Sequence, residues 1–340
     1  MLDLISIGDV TEDVFVGVGK AGKVECKNNR CLLEFSFPTK LAINTVDKLI
    51  GGNAGNMAIG SSRLGLKSAL YAEVGNDTQG IRLRKSLKDN KVSTKYFYLK
   101  KGEKTNYSVV LYYKGDRTIL VHHEERAYKF PRMEKARWVY LTSMGHGSER
   151  IFPPLLRYLK KTKARLGFNP GTHQLNLGLA KIKKMLERSD VVFLNTEETQ
   201  KLLMTKKRDF RYLTRKLQET GPKMAVVSDG PNGAYCFDGE NYWHCPIYDT
   251  PLYERTGAGD AFSTGFLSAL IYGKNVQDAM KWGTLNSASV IQKVGPQNGL
   301  IKVSLLRKII KANPKFMAKR FSGKEVTRGN LYKPKKYVKW

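Results

Sequence analysis

Arg255-Thr256-Gly257-Ala258-Gly259-Asp260-Ala261-Phe262 is the stretch around which the rest of the chain is read. Ala261, Phe262, Phe266, Leu267, Leu270 and Ile271 recur at the spacing of one apolar helix face, and Gly273 supplies a stop. The turn from Gly257 to Gly259 is therefore expected to open a helix. Free N–H groups at a helix start attract anions, and glycines there let a phosphate approach without a Cβ in the way. Asp260 would repel that phosphate unless it takes a proton from a group attacking it, which is the general-base role. Read alone, the turn is equally well explained as an aspartate stabilising the helix dipole, with glycines that only make the bend.

A second stretch bears on that choice. Thr-Gly-Ala-Gly-Asp-Ala-Phe at 256–262 resembles the second signature of the ribokinase-like (PfkB) carbohydrate kinases. Gly51-Gly52-Asn53-Ala54-Gly55-Asn56-Met57-Ala58, far earlier in the chain, resembles the first. The resemblance spans roughly residues 3–300 and implies an α/β fold: a doubly wound, mostly parallel sheet flanked by helices, with a small β-strand lid. It implies ATP-dependent phosphorylation of a primary hydroxyl on a sugar or sugar-containing small molecule. Asp260 would be the catalytic base, and Gly257, Ala258 and Gly259 the anion hole. Neither signature carries an extra basic pair for an anionic sugar, which favours ribose or a nucleoside as acceptor.

Further roles follow from the same resemblance. Gly8-Asp9 ends a buried strand, Leu4-Ile5-Ser6-Ile7, so Asp9 or Asp13 is expected at a ligand site beyond its carboxyl end. The family places sugar hydroxyls on the second acid, here Asp13, and on the first signature, here Gly52, Asn53 and Asn56. From the residues alone, Asp13 also reads as a turn former and Asn56 as a helix N-cap. Asn195-Thr196-Glu197-Glu198 resembles the family's Asn-x-x-Glu, which implies that Asn195 and Glu198 orient magnesium, Glu198 partly through water; the same four residues also read as a capping box. Ser228, Gly230 and Gly233 match the nucleotide-binding turn, and Asn286 the place where adenine packs. The family usually writes Asp-Thr before Thr-Gly-Ala-Gly-Asp, and that Asp often ligates a monovalent cation. This chain has Glu254-Arg255 instead, which leaves two readings: Glu254 as a potassium ligand through its longer arm, or Arg255 as a substitute for the ion's charge.

Composition sets outer limits. The chain has 340 residues, 41% of them apolar, enough for one large α/β core. No run of 18 apolar residues occurs, and MLDLISIGDV lacks a basic region followed by a long apolar one, so a cytoplasmic protein without a membrane span is expected. Cys26, Cys31, Cys236 and Cys245 form no CxxC pair and have no histidine at ligand spacing; free thiols are the expectation. Lys and Arg number 59 against 30 Asp and Glu, a net charge of +29, which implies non-specific attraction to polyanions. Two other function classes therefore stand beside the kinase: a catalytically silent nucleotide- or sugar-binding protein, and a nucleic-acid-associated protein using its basic surface.

In chain order, Gly17-Val18-Gly19-Lys20-Ala21-Gly22-Lys23 imitates a phosphate loop but is read as a hairpin turn, because Val24 stands where a Ser or Thr should hold magnesium. Strand-like segments at 14–18 and 31–37, and again within 95–121 around the turn Lys114-Gly115-Asp116, are expected to build the lid, whose segments span about 14–40 and 95–122 and which in the family often pairs with a second subunit. His122 and His123 point to opposite faces and cannot share a metal easily. From Trp138 onward strand and helix alternate: strands at 138–142, 165–169, 191–194 and 224–228, and helices at 151–163, 175–187, 196–204 and 209–219. The kinase domain is expected over 1–310. The stretch 311–340, with ten Lys and Arg against Glu325 alone, is read as a partly disordered or surface-wrapped basic tail.

Overall fold

A computed structural model of the chain describes residues 1–27, 30–113 and 116–322. Strands are β1 (Leu2–Ile7), β2 (Thr11–Gly17), β3 (Lys23–Lys27), β4 (Arg30–Glu34), β5 (Thr45–Gly51), β6 (Ser68–Gly75), β7 (Ser93–Lys100) and β8 (Asn106–Tyr113). They continue with β9 (Asp116–His122), β10 (Ala136–Leu141), β11 (Arg165–Phe168), β12 (Val191–Asn195), β13 (Met224–Ser228), β14 (Ala234–Phe237), β15 (Tyr242–Cys245) and β16 (Lys319–Arg320). Helices are α1 (Asn53–Arg63), α2 (Thr78–Asp89), α3 (Phe152–Thr162), α4 (Thr172–Asn176) and α5 (Leu179–Arg188). After these come α6 (Thr196–Leu202), α7 (Phe210–Glu219), α8 (Ala258–Ile271), α9 (Val276–Val290) and α10 (Val303–Ala312).

The large sheet runs β16-β15-β14-β13-β12-β11-β10-β1-β6-β7, parallel from β13 through β7 and antiparallel at the β14–β16 edge. Successive side chains of its central strands enter opposite cores, as a pleat covered on both faces requires. Ile5 and Ile7 of β1 and Val139 and Leu141 of β10 join one cluster, packed against α3, α5 and α7. Leu4, Trp138 and Tyr140 join the other, with α8, α9 and α10. This is the expected doubly wound sheet. The chain proceeds from β1 toward β7 on one side and from β10 toward β13 on the other, so the strand order reverses between β1 and β10. Ligands of such sheets bind outside the carboxyl ends of the strands at that reversal.

A second, four-stranded sheet, β5-β2-β8-β9, stands over the same end. Its membership differs in part from the expected lid segments. Residues 93–100 belong to the large sheet as β7, and β3 and β4 pair as a separate two-stranded sheet, while β5, not the alternating segment 31–37, supplies the edge of the four-stranded sheet. The imitation phosphate loop is a 3-10 turn over Gly19–Ala21 leading into β3. Cys26 and Cys31 face each other across β3 and β4 and are joined by a disulfide, so the expectation of free thiols holds for Cys236 and Cys245 only. Five residues of separation concealed a direct cross-strand pair that only the pairing of β3 with β4 creates.

Two other boundaries depart from the periodicity. The helix expected over 175–187 is two, α4 and α5, divided at Gly178, whose φ of 80° ends one and starts the other. The first part of the expected tail belongs to the fold: Phe316, Ala318 and Phe321 are buried, Phe316 lies edge-on to Tyr248, and β16 pairs with β15. The turn residues Lys114 and Gly115, and the remainder of the tail, 323–340, lie outside the described residues. Among the described residues no helix is long and apolar enough to cross a membrane.

Candidate active site

A cleft of about 470 Å³ lies between the carboxyl ends of the parallel strands and the four-stranded sheet. It gathers Asp9 after β1, Ser143 after β10, Asn169 after β11, Asn195 at the end of β12 and Ser228 at the end of β13, together with Gly52, Asn53 and Asn56 of α1 and residues 255–260 at the start of α8. Asp13 and Ser108 enter from β2 and β8, and Arg117, Ile119, Val121 and His123 from β9 and its end. The parity of 117, 119, 121 and 123 is that of one strand face.

The decisive turn forms because Gly257 has φ 80°, a left-handed conformation that costs glycine nothing and that a Cβ would block by running into Pro296. Helix α8 begins at Ala258. Ala258 N–H donates to Arg255 O at 3.2 Å, whereas the N–H groups of Gly257, Gly259 and Asp260 have no protein partner among the described residues. Of the three expected anion-hole donors, Ala258 is therefore already engaged, and Asp260 N–H joins Gly257 and Gly259 as a free donor. A Cβ at Gly259 would meet no protein atom, so what its absence keeps clear is cleft space.

Asp260 lies on this first turn and is partly open to the cleft. Its Oδ2 accepts from Asn56 Nδ2 at 2.8 Å, and Asn56 Oδ1 accepts from Gln297 Nε2 at 2.9 Å. The Asn56 amide thus bridges Gln297 and Asp260 and positions the carboxylate, while Asn56 also lines the cleft where substrate hydroxyls are expected. Burial pushes the Asp260 carboxyl up to about 6; the Asn56 bond opposes the shift, and the charges of Glu198 and Asp13 add to it. Asp13 is raised in the same direction, chiefly by burial, against hydrogen bonds from Thr11 and Ser108. Asp9 also reaches about 6 through burial, although Tyr128 OH donates to both its oxygens, at 2.9 and 3.0 Å, and Gly145 N–H donates at 2.7 Å. Gly52, at φ 85°, caps α1 where a side chain would strike the Asp9 and Val10 backbone.

Asn195 and Glu198 satisfy both of their readings. Asn195 Oδ1 accepts from Glu198 N–H at 2.8 Å and Glu198 Oε2 accepts from Asn195 N–H at 2.9 Å, a reciprocal capping box, and both residues line the cleft. Glu198 Oε1 makes no protein hydrogen bond among the described residues, and burial raises its carboxyl, so a further donor or a hydrated cation fits there. Among the described residues no cluster of three or more His, Cys, Asp or Glu could by itself hold a metal. The paired-histidine question resolves as the strand pleat requires: His122 Nε2 lies 2.9 Å from Glu124 Oε1, while His123 turns inward to 3.8 Å from Asp9 Oδ2.

Four expected residues are not brought to the cleft. Asn286 is buried between helices, where its Nδ2 donates to Ala261 O at 2.7 Å and its Oδ1 accepts from Ile301 N–H at 3.2 Å, and it does not line the cleft. Gly230 and Gly233 form the 3-10 turn after Ser228, outside the lining. Glu254 is fully buried, with Oε1 accepting from both Thr256 N–H and Thr256 Oγ1 at 2.6 Å. The side-chain cation beside it is Arg117 at 3.7 Å; Arg255 instead faces Asp116. Arg117, Gln297 and Tyr128 were not singled out in the sequence. Arg117 shares strand parity with His123, a signal available once β9 is known to face a site; nothing local marks Gln297 or Tyr128.

With this geometry in view, the profile described as "pfkB family carbohydrate kinase" matches residues 23–303, and the chain belongs to that family. It is a carbohydrate kinase, a phosphotransferase with an alcohol acceptor, of the family's ATP-dependent sugar and nucleoside kinases. An uncharacterized sugar kinase of Archaeoglobus fulgidus is 27% identical, covering 71% of this chain and 98% of that protein. The 5-dehydro-2-deoxygluconokinase of Halalkalibacterium halodurans is 25% identical over 82% of this chain and 90% of its own length. Among solved structures, Arabidopsis thaliana ribokinase complexed with ribose and ATP superposes with a TM-score of 0.75 at 19% identity, covering 91% of this chain and 99% of that one. A Vibrio cholerae fructokinase double mutant with fructose, ADP and potassium ion bound gives 0.73 at 20% identity, covering 90% and 98%. These two likenesses establish the ribokinase-like fold.

Proposed function

We propose that the cleft transfers the γ-phosphoryl group of ATP to a primary hydroxyl of a sugar or sugar-containing small molecule, with Asp260 as general base. The observation that carries this reading is the placement of the Asp260 carboxylate, held by Asn56, on the same helical turn as the free N–H groups of Gly257 and Gly259. Asp260 takes the proton of the acceptor hydroxyl as its oxygen attacks phosphorus in line, and the N–H groups of the turn stabilise charge on the transferring group. Asp13 is positioned to accept from acceptor hydroxyls, with Gly52 and Asn53 alongside, and Asn195, Glu198 and Ser228 face the place for the nucleotide phosphates. Magnesium, when bound, neutralises phosphate charge, and Glu198, through water, is the residue that suits it.

Ribose or a nucleoside is the acceptor expected from the two signatures. We assign the kinase unit to 1–322, past the expected end at 310 because α10, Phe316, Phe321 and β16 belong to the fold, with the four-stranded sheet as a lid: Ile119 and Val121 are 40% and 53% exposed on its cleft face, apolar surface that a sugar ring would cover. Val46 and Leu120, 53% and 55% exposed on the opposite face, support a homodimer through the lid. A cytoplasmic location belongs to the same proposal. The test is ATP consumption by the full chain across ribose, fructose, sugar acids, sugar phosphates and nucleosides, with Asp260→Asn alongside. We expect at least one acceptor to be phosphorylated and the variant to lose about 10²–10⁴ in kcat while still binding ATP. Near-full turnover by the variant would remove Asp260 from the role of base.

A further inference from the structure

Two ion pairs join the first residues of the lid strand β9 to the segment that leads into the anion-hole turn. Arg117 Nε lies 3.7 Å from Glu254 Oε1, and Arg255 Nη1 lies 3.7 Å from Asp116 Oδ1. The pattern is reciprocal, an acid and a base at 116–117 set against an acid and a base at 254–255. The two pairs differ in weight. Asp116 and Arg255 side chains are 76% and 47% exposed, where solvent screens the attraction. The Glu254 side chain is 0% exposed, and Arg117 is 30% exposed.

Glu254 is what shapes the turn. Its Oε1 collects the N–H and the hydroxyl of Thr256, the residue that precedes Gly257, while its buried Oε2 has no partner among the described residues. A buried carboxylate needs a cation nearby, since desolvation without one is costly. Arg117 is the cation within 4 Å of it among the described residues, and it arrives from the four-stranded sheet, whereas Glu254 lies in the segment between β15 and α8.

We propose that Arg117 is a positioning residue for phosphoryl transfer: by closing against Glu254 it neutralises that buried carboxylate, fixes the Thr256–Gly257 turn, and removes the need for a monovalent cation at this place. The inference rests on the kinase reading above. It links the acceptor to the phosphate site, because Ile119 and Val121 lie on the same face of β9 as Arg117. An acceptor that covers those two side chains holds the strand down and, through Arg117, completes the turn where the phosphoryl group passes. Lid closure and anion-hole geometry become one event.

The experiment compares wild type, Arg117→Lys, Arg117→Gln and the double variant Arg117→Gln with Glu254→Gln, in buffer whose only monovalent cation is tetramethylammonium and again with potassium chloride added. Wild type is expected to change less than about twofold on adding potassium. Arg117→Gln is expected to lose about 10–100-fold in kcat, less than the loss of an oxyanion-hole donor itself, with KM for ATP nearly unchanged. Potassium should restore most of that loss and raise the melting temperature of Arg117→Gln but not of wild type, because the small ion enters beside the unpaired carboxylate. Arg117→Lys should keep most of the activity, and Glu254→Gln added to Arg117→Gln should recover part of it in the absence of potassium.

A wild type strongly activated by potassium, or an Arg117→Gln whose kcat equals wild type, would overturn the proposal. So would a loss that neither potassium nor Glu254→Gln reverses, since that is what a merely structural arginine gives. Failure of wild type to turn over ATP with any acceptor would overturn the kinase reading and this inference together, whereas turnover with an indifferent Arg117→Gln overturns the inference alone.

Discussion

Asp260 can act as a base only when ionised, and its surroundings make ionisation late. Burial, with Glu198 and Asp13 nearby, holds its carboxyl at about 6 in the fold against 3.8 for the free group. Turnover should therefore climb as pH rises through about 6 and level off above it, a limb to be read from kcat/KM against pH. The same shift acts on stability with the opposite benefit. A carboxyl whose folded pKa exceeds its unfolded one contributes stability that is complete below the unfolded value and is lost as pH rises through the folded one. Asp9, also at about 6, works in the same direction. Asp260→Asn should consequently melt above wild type at about pH 8, with the gap closing as pH falls through 6 toward 4. Equal melting temperatures at both extremes would show that the carboxylate is not strained by its site.

Helix α8 carries Asp260, and its position depends on how closely it packs against α9. Gly265 faces the Trp282 backbone so tightly that a Cβ there would collide with the carbonyl oxygen, and Gly283 faces Phe262 in the same way. Asn286 of α9 completes the contact through the Ala261 carbonyl, inside the first turns of α8. Gly265→Ala must push the two helices apart, at about 1–3 kcal/mol of stability, and displace the base relative to the lid. We expect a lower melting temperature together with a fall in kcat that exceeds any change in ATP affinity. Unchanged kcat in a destabilised but folded variant would mean that the start of α8 is held by Asn56 and Gln297 alone. Asn286 was legible in the sequence as a polar residue on a helix, but its partners belong to other elements, and those partners make it a packing residue and not an adenine contact.

Over the whole molecule, 59 basic residues against 30 acidic ones leave a net charge of +29 that does not arise in the cleft, whose lining sets Asp9, Asp13, Glu198 and Asp260 against Arg117 and Arg255. Charge of this kind attracts polyanions without reading their sequence. Binding to RNA or heparin should fall steeply between about 50 and 200 mM salt and show no preference among RNA sequences, as measured by retention or anisotropy. Affinity that survives high salt, or that discriminates among sequences, would point to a specific nucleic-acid site. The expected start of the basic tail shows how whole-molecule packing overrides composition: residues 311–322 are rich in Lys and Arg, yet Phe316 and Phe321 anchor them to Tyr248 and Tyr235, and β16 closes the sheet edge.

What the chain by itself determined is local and periodic. Glycines at 257 and 259 ahead of an apolar helix face specify a turn that opens α8, Asn195 and Glu198 specify a capping box, and strand–helix alternation after Trp138 specifies a parallel sheet. Each depends on residues a few positions apart, whose backbone preferences and spacing act without reference to the rest of the fold. The tertiary structure alone decided which groups meet. Asn56 reaches Asp260 from 204 residues away, Gln297 reaches Asn56 from 241, and Arg117 meets a carboxylate whose charge the sequence had assigned to a bound ion or to Arg255. The physical reason is that a buried polar group takes whatever partner packing brings within hydrogen-bond or ion-pair reach, and that partner is set by the arrangement of two sheets and the helices between them, not by any interval along the chain.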